Sequence, residues 1–267
     1  MVNLLAAAAL AAGTPGAAPA WPPAEPAIFV VHDADTTIYL FGTFHALDGD
    51  PRWFDHGVRA AFEQSDELVL ETLLPEGPNA AQELSDSITT PKAPRSPSFL
   101  ATTQMAISAG RSQGMQVGNG ADTVLRHIAE VEGKPVEGLE TLQFQINMFN
   151  RLPMGAEATP KPTEATRESA DEPPMQSLSN TMTEMQSAWK RGDQGVFVNL
   201  LDQLRASSPD TYRLMFTERN ARWADWIAAR MQTPGTVFVA VGAGHLAGKD
   251  SVLVRLAEKG IASQRVY

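Results

Sequence analysis

The sequence predicts an α/β fold: a mixed, mainly parallel sheet with an N-terminal hairpin and an inserted helical region. Three observations lead there. Short apolar, β-rich runs alternate with helical patterns, which is how parallel sheets are assembled. The first two runs, Ala27 to Val31 and Thr36 to Phe41, are separated only by the turn-prone His32-Asp33-Ala34-Asp35 and so pair as a hairpin. Between Glu140 and Thr236 the chain reads as helix or polar linker, an insertion within the sheet's connections.

In chain order, Leu4 to Ala12 is an apolar run too short to span a bilayer, and it leads to the small residues Ala18-Pro19-Ala20. Residues 1–20 therefore read as a secretory signal cleaved after Ala20, and the protein as exported, periplasmic or secreted. Residues 21–267 form one domain. After the hairpin, Asp50 is placed to cap a helix with Pro51 in its first position and Phe54, Val58, Ala61 and Phe62 at helical spacing. Leu68-Val69-Leu70 has the unbroken apolar character of a strand buried on both faces, and it ends in Glu71. Residues 75–98 are rich in Pro, Ser, Thr and Asn and read as loop. Helical patterns occupy 99–110 and 121–132. Val136 to Leu139 is a short strand closed by Glu140, with Thr141 capping a helix that buries Leu142, Ile146 and Phe149. Pro153 to Met175 contains no Val, Ile, Leu, Phe, Trp or Tyr and reads as a disordered insertion. Helices follow at 176–191 and 193–206, and a long one runs from Ser208-Pro209 to about 231. Thr236 to Val241 is an apolar strand, Asp250 can cap a last helix ended by Gly260, and Ile261 to Val266 makes a final strand.

Composition narrows the function. With 21 Lys and Arg against 31 Asp and Glu, the chain carries a net charge of −10, and no basic run is present to follow a phosphate backbone. Nucleic acid is not an expected partner, and no stretch beyond the leader approaches a membrane span. The absence of cysteine removes disulfides, thiolate nucleophiles and zinc knuckles. The chemistry must come from oxygen and nitrogen side chains.

Two segments share one design: an apolar strand running into Gly-x-x-His, at 42–45 and 242–245. Glycine lets the chain turn sharply at the strand's end and the His enters the loop there, where open α/β sheets place their sites. A lone His in such a place is more often a hydrogen-bonded structural residue; two at matched positions point to a shared site containing His45 and His245. Glu71 and Glu140 also end strands, so parallel strands would bring both carboxylates to the same edge. Arg219 falls on the stripe Tyr212, Phe216, Arg219, Trp223, Ile227 and faces inward. It either lays its stem on the core, pairs with a structural Glu, or orients a site carboxylate and stabilises negative charge on a substrate oxygen.

Three further motifs carry less. Gly110-Arg111-Ser112-Gln113-Gly114 fits G-x-S-x-G but follows a helical pattern where a nucleophile elbow needs a strand. Gly242, Gly244 and Gly248 follow a strand like a dinucleotide loop, but too little chain remains to complete the βαβ unit. His32, His56 and His127 have no partners at metal-ligand spacing.

Leu40-Phe41-Gly42-Thr43-Phe44-His45, Glu67-Leu68-Val69-Leu70-Glu71, Gly138-Leu139-Glu140-Thr141, Glu218-Arg219-Asn220 with Trp223, and Phe238 through Leu246 together resemble the TraB/PrgY/GumN family, whose superfamily includes the Tiki metalloproteases and is related to erythromycin esterase and ChaN-like folds. The resemblance implies a metal-dependent hydrolytic site in which His45, Glu71 and His245 ligate a divalent metal (Mn, Co, Fe or Zn), with Glu140 and Arg219 in support. Asn220 departs from the family's expected Asp. Such a metal would lower the pKa of bound water and polarise a substrate carbonyl, the second carboxylate would move the proton, and Arg219 would stabilise the oxyanion. The substrate would be a peptide or other acyl compound. Two alternatives stand beside this: a protein that sequesters a peptide without turnover, and a metal-independent, esterase-like hydrolase with His as base.

Overall fold

The computed structural model describes residues 25–75, 105, 108–152 and 174–266. Its six-stranded sheet has the order β4-β3-β5-β2-β1-β6. Strand β1 (Ile28–His32) pairs antiparallel with β2 (Thr36–Thr43), the expected hairpin, whose turn is tied by Asp33 Oδ1 accepting from the Asp35 and Thr36 amides. Strands β2, β5 (Gly235–Gly242), β3 (Glu67–Thr72) and β4 (Val136–Glu140) are mutually parallel. The sheet is therefore mixed and mainly parallel, as the sequence predicts.

Alternation along the central strands explains both layers. Phe41, Leu68, Leu70, Phe238 and Ala240 point to one face, against α1 (His56–Glu63), α2 (Ala121–Glu132), α4 (Pro174–Lys190) and α5 (Gly195–Ser207). Ile38, Leu40, Val69, Val237, Val239 and Val241 point to the other, against α7 (Glu218–Arg230) and α8 (Val252–Glu258). With helices on both faces, the site forms at the edge where the parallel strands end.

Several boundaries differ from expectation. Asp50 caps a 3₁₀ turn, Pro51–Phe54, by accepting from the Arg52 amide, and α1 starts only at His56, whose φ of 42° breaks the helix expected to run through. Thr141 caps α3 (Leu142–Asn150) as expected, but the residue this helix buries is Met148, while Leu142, Ile146 and Phe149 are half-buried. The helical rod after Ser208 is α6 (Pro209–Tyr212), a π turn (Arg213–Thr217) and then α7. Ser251 caps α8, and Asp250 instead binds Arg255 and Tyr212. The final strand contracts to β6 (Gln264–Arg265), an exposed pair of residues on the outer edge of β1. The leader at 1–20, all but the first residue of the loop at 75–98, most of the helix expected at 99–110 and residues 153–173 of the insertion expected at 153–175 lie outside the described residues; the last two residues of that insertion, Pro174 and Met175, instead begin α4. Among the described residues, no helix is long and apolar enough to cross a membrane.

Candidate active site

Strands β2 and β5 run parallel in a register that pairs Thr43 with Gly242, so the two Gly-x-x-His turns leave the sheet side by side. Trp189 of α4 donates its indole N–H to the Gly42 carbonyl at 2.6 Å, fixing the strand's end. The start of α2 docks on the His45 turn: the Ala121 amide donates to Phe44 O at 3.0 Å, and a Cβ on Gly120 would lie 2.3 Å from His45 O. That contact places Asp122, in the helix's first turn, with Oδ1 3.2 Å from Nδ1 of His45.

Glu71, near the end of β3, accepts from the Gly242 amide at 2.7 Å through Oε1 and from Arg219 Nη2 at 2.6 Å through Oε2. Glu140, the last residue of β4, takes Arg219 Nε at 3.0 and 3.1 Å and Arg222 Nη2 at 3.3 Å. Parallel pairing has thus brought His45, Glu71, Glu140, Arg219 and His245 together at one sheet edge.

The two imidazoles are held differently. His245 is 5% exposed, with its ring 4.9 Å from Phe216 and 4.4 Å from Trp223, centroid to centroid. Its Nδ1 lies 2.6 Å from Asn220 Oδ1 and its Nε2 lies 3.2 Å from Arg219 Nη1. Asn220 is oriented by Nδ2 donating to Asp250 O at 2.7 Å, so its oxygen can only accept, and Arg219 can only donate. The proton of His245 is therefore on Nδ1. The His45 side chain is 61% exposed, and among the described residues its Nδ1 alone has a hydrogen-bond partner. Its Nε2 faces Gly242: a Cβ built there would lie 3.2 Å from that nitrogen and 3.1 Å from Glu71 Oε1.

Electrostatics follow this geometry. Burial pushes His245 down to about 3, only partly opposed by Glu71. Burial works against the Glu71 carboxylate, but His245, Arg219 and His45, with the Gly242 amide, hold it down to about 2. Desolvation of the cleft-facing ring opposes charge on His45, yet the Asp122 hydrogen bond and the charges of Asp122 and Glu71 outweigh it and raise the pKa to about 9. Burial likewise opposes the Arg219 charge, and Glu71 and Glu140 overcome it, raising its pKa.

The residues do not fit the divalent metal that the resemblance implies. A metal ligand needs a free lone pair, and Nε2 of His245 already accepts from a permanent cation. Each oxygen of Glu71 already accepts one hydrogen bond, Oε2 from the Arg219 cation, which places a fixed positive charge where the metal would lie. Among the described residues, no group of three or more His, Asp or Glu side chains is placed to hold an ion. Arg219 is equally unavailable to a substrate oxygen: its N–H groups are directed at Glu140, Glu71, His245 and the Met215 carbonyl.

Sequence reasoning missed Asp122, Trp189 and the role of Asn220 as an acceptor for His245. Asp122 offers only the signal of an acid in the first turn of a helix, 77 residues from His45. The weaker motifs stay apart from the site: His32, His56 and His127 are exposed, and Ser112 donates to Ala109 O and contacts Ser179 with no imidazole beside it. A family model, that of the TraB/PrgY/gumN family, matches residues 27–106 and 93–265. No curated protein and no solved structure matches the chain.

Proposed function

The chain belongs to the TraB/PrgY/gumN family, and from that premise we propose that it hydrolyses peptide or other acyl bonds at the edge where β2, β5 and β3 end, with His45 as the general base. The observation that carries this reading is the setting of His45: an exposed imidazole whose Nδ1 is held by Asp122 while Nε2 opens on the cleft beside Glu71 Oε1. A carboxylate on Nδ1 holds the ring with its proton on that side and stabilises the imidazolium that forms during reaction. In the neutral ring, Nε2 takes a proton from water as the water attacks the substrate carbonyl, and returns it to the leaving nitrogen or oxygen. Glu71 Oε1, which faces the same space beside Gly242 as Nε2, orients that water. Arg219 acts at one remove, keeping Glu71 ionised and in place.

This is the metal-independent form of the hydrolysis. The metal-dependent peptidase, with Mn, Co, Fe or Zn on His45, Glu71 and His245, is the reading taken from the resemblance. One feature favours it: both imidazoles are held at Nδ1 and turn Nε2 inward, as metal-ligating histidines do. Incubating purified protein with peptide and ester libraries, with and without chelator, separates the two. Product formed in chelator supports the His45 base, product formed only with added metal supports the peptidase, and binding without product assigns a sequestering role. A base with a pKa of about 9 gives a rate that climbs with pH up to that value. We further propose that the reaction takes place outside the cytoplasm, from the leader character of residues 1–20. The amino-terminal mass of protein from its native host tests this, with Trp21 expected first.

A further inference from the structure

We propose that Arg219 is the resident cation of this site: its guanidinium, in place of a divalent metal, holds Glu71, Glu140 and His245, and it divides the two Gly-x-x-His motifs into one working imidazole, His45, and one fixed acceptor, His245. This deepens the hydrolase reading, but its test reads ion binding and not turnover.

The donors of Arg219 are spent inside the protein. Nε reaches both Glu140 oxygens, Nη2 bridges Glu140 Oε2 at 2.9 Å and Glu71 Oε2 at 2.6 Å, and Nη1 serves the Met215 carbonyl and His245 Nε2. The residue is 4% exposed, and its guanidinium lies 4.5 Å from the centre of the Trp223 ring. Charge balances as well. Arg219 lies between the two carboxylates, and Arg222 adds a second positive charge on the outer oxygen of Glu140. A buried guanidinium is retained only where its partners complete its hydrogen bonds, and here they do.

One stretch of helix clamps the second histidine. Phe216 and Trp223 pack their rings against His245, while Arg219 and Asn220 engage its two ring nitrogens. The consecutive residues Arg219 and Asn220 supply one donor and one acceptor, which permits a single tautomer and leaves no lone pair for a metal. The π turn Arg213–Thr217 comes just before them, and such turns shift the register of the residues that follow. Two motifs alike in sequence thus have opposite surroundings: His45 is open at Nε2, and His245 is closed on every side.

The experiment is ion binding by the full chain, purified without chelator and titrated with Mn, Co and Zn salts by calorimetry, with metal content checked by elemental analysis. The wild type should hold no stoichiometric ion. Arg219→Met removes the cation but keeps an apolar stem, so it frees Glu71 Oε2, Glu140 and His245 Nε2. This variant should gain ion binding, and the gain should vanish in Arg219→Met with His245→Ala. A wild type that binds one ion per chain and loses it in His245→Ala overturns the proposal. Should Arg219→Met fail to fold, nitrogen NMR of the wild-type histidines decides. His245 should show an Nδ1–H tautomer whose Nε2 signal is unchanged in excess Zn, and a Zn-induced shift of that Nε2 overturns the proposal equally.

Discussion

Asp122 lies 3.2 Å from Nδ1 of His45, across 77 residues of sequence, because the start of α2 docks on the turn that carries the histidine. His45→Ala should lower kcat/KM by about 10²- to 10⁴-fold, the usual worth of a positioned base. It should lower the melting temperature by less than His245→Ala does, since the side chain is exposed and its ion pair is screened by solvent. Asp122→Ala should fall between this variant and wild type, and Asp122→Asn, which keeps an acceptor oxygen, should lose less. Steady-state kinetics beside thermal melts check the order; equal activity in Asp122→Ala and wild type refutes the pairing.

His245→Ala should show the reverse balance. It strands an Arg219 N–H and the Asn220 oxygen in a buried setting and opens space between Phe216 and Trp223. Each stranded group costs about 1–3 kcal/mol. The melting temperature should drop by several degrees, whereas a variant as stable as wild type would contradict the clamp.

Gly242→Ala probes the meeting point of both motifs. The new methyl would sit 3.1 Å from Glu71 Oε1 and 3.2 Å from His45 Nε2, the space where attacking water is expected. Activity should be lost while circular dichroism stays native. Full activity would place the chemistry elsewhere.

Stability should depend on pH in a direction set by three groups. His245 falls from 6.5 to about 3 on folding, so its contribution is complete above pH 6.5 and is lost as pH drops from there toward 3. Glu71 falls from 4.5 to about 2, so its share is present above pH 4.5 and is lost as pH falls through 2. His45 rises from 6.5 to about 9, so its share is present below pH 6.5 and fades as pH rises through 9, weakened by solvent screening of an exposed ring. Melting temperatures from pH 3 to pH 10 should decline steadily on the acid side from 6.5, with a smaller alkaline decline that His45→Ala removes. A melting temperature level down to pH 4 contradicts the burial of neutral His245.

The sheet edge was legible because its signals are local. Apolar runs at Thr36 to Phe41, Leu68 to Leu70 and Thr236 to Val241 mark the buried parallel strands, and the residue ending each one marks the site. The stripe through Phe216, Arg219 and Trp223 correctly placed a guanidinium inside. What local pattern could not give was the partner of each group. Asn220 stands four residues after Phe216 and three before Trp223, and is buried, but its spacing does not reveal that its oxygen meets His245. Asp122 meets His45 only because Gly120 permits a close approach to its carbonyl. The two Gly-x-x-His motifs look equivalent in sequence, because their difference resides in the helices packed over them. Asp250 was expected as a cap, but Ser251 is the residue whose side chain reaches the Val254 amide.

The most direct measurement is the hydrolysis rate of wild type and His45→Ala on one acyl substrate from the library, after exhaustive treatment with chelator, across pH 6 to 10. The His45 base predicts product from the chelated wild type, with a rate rising to about pH 9, and almost none from His45→Ala. Product that appears only when Mn, Co or Zn is restored, or a His45→Ala rate equal to wild type, would contradict it.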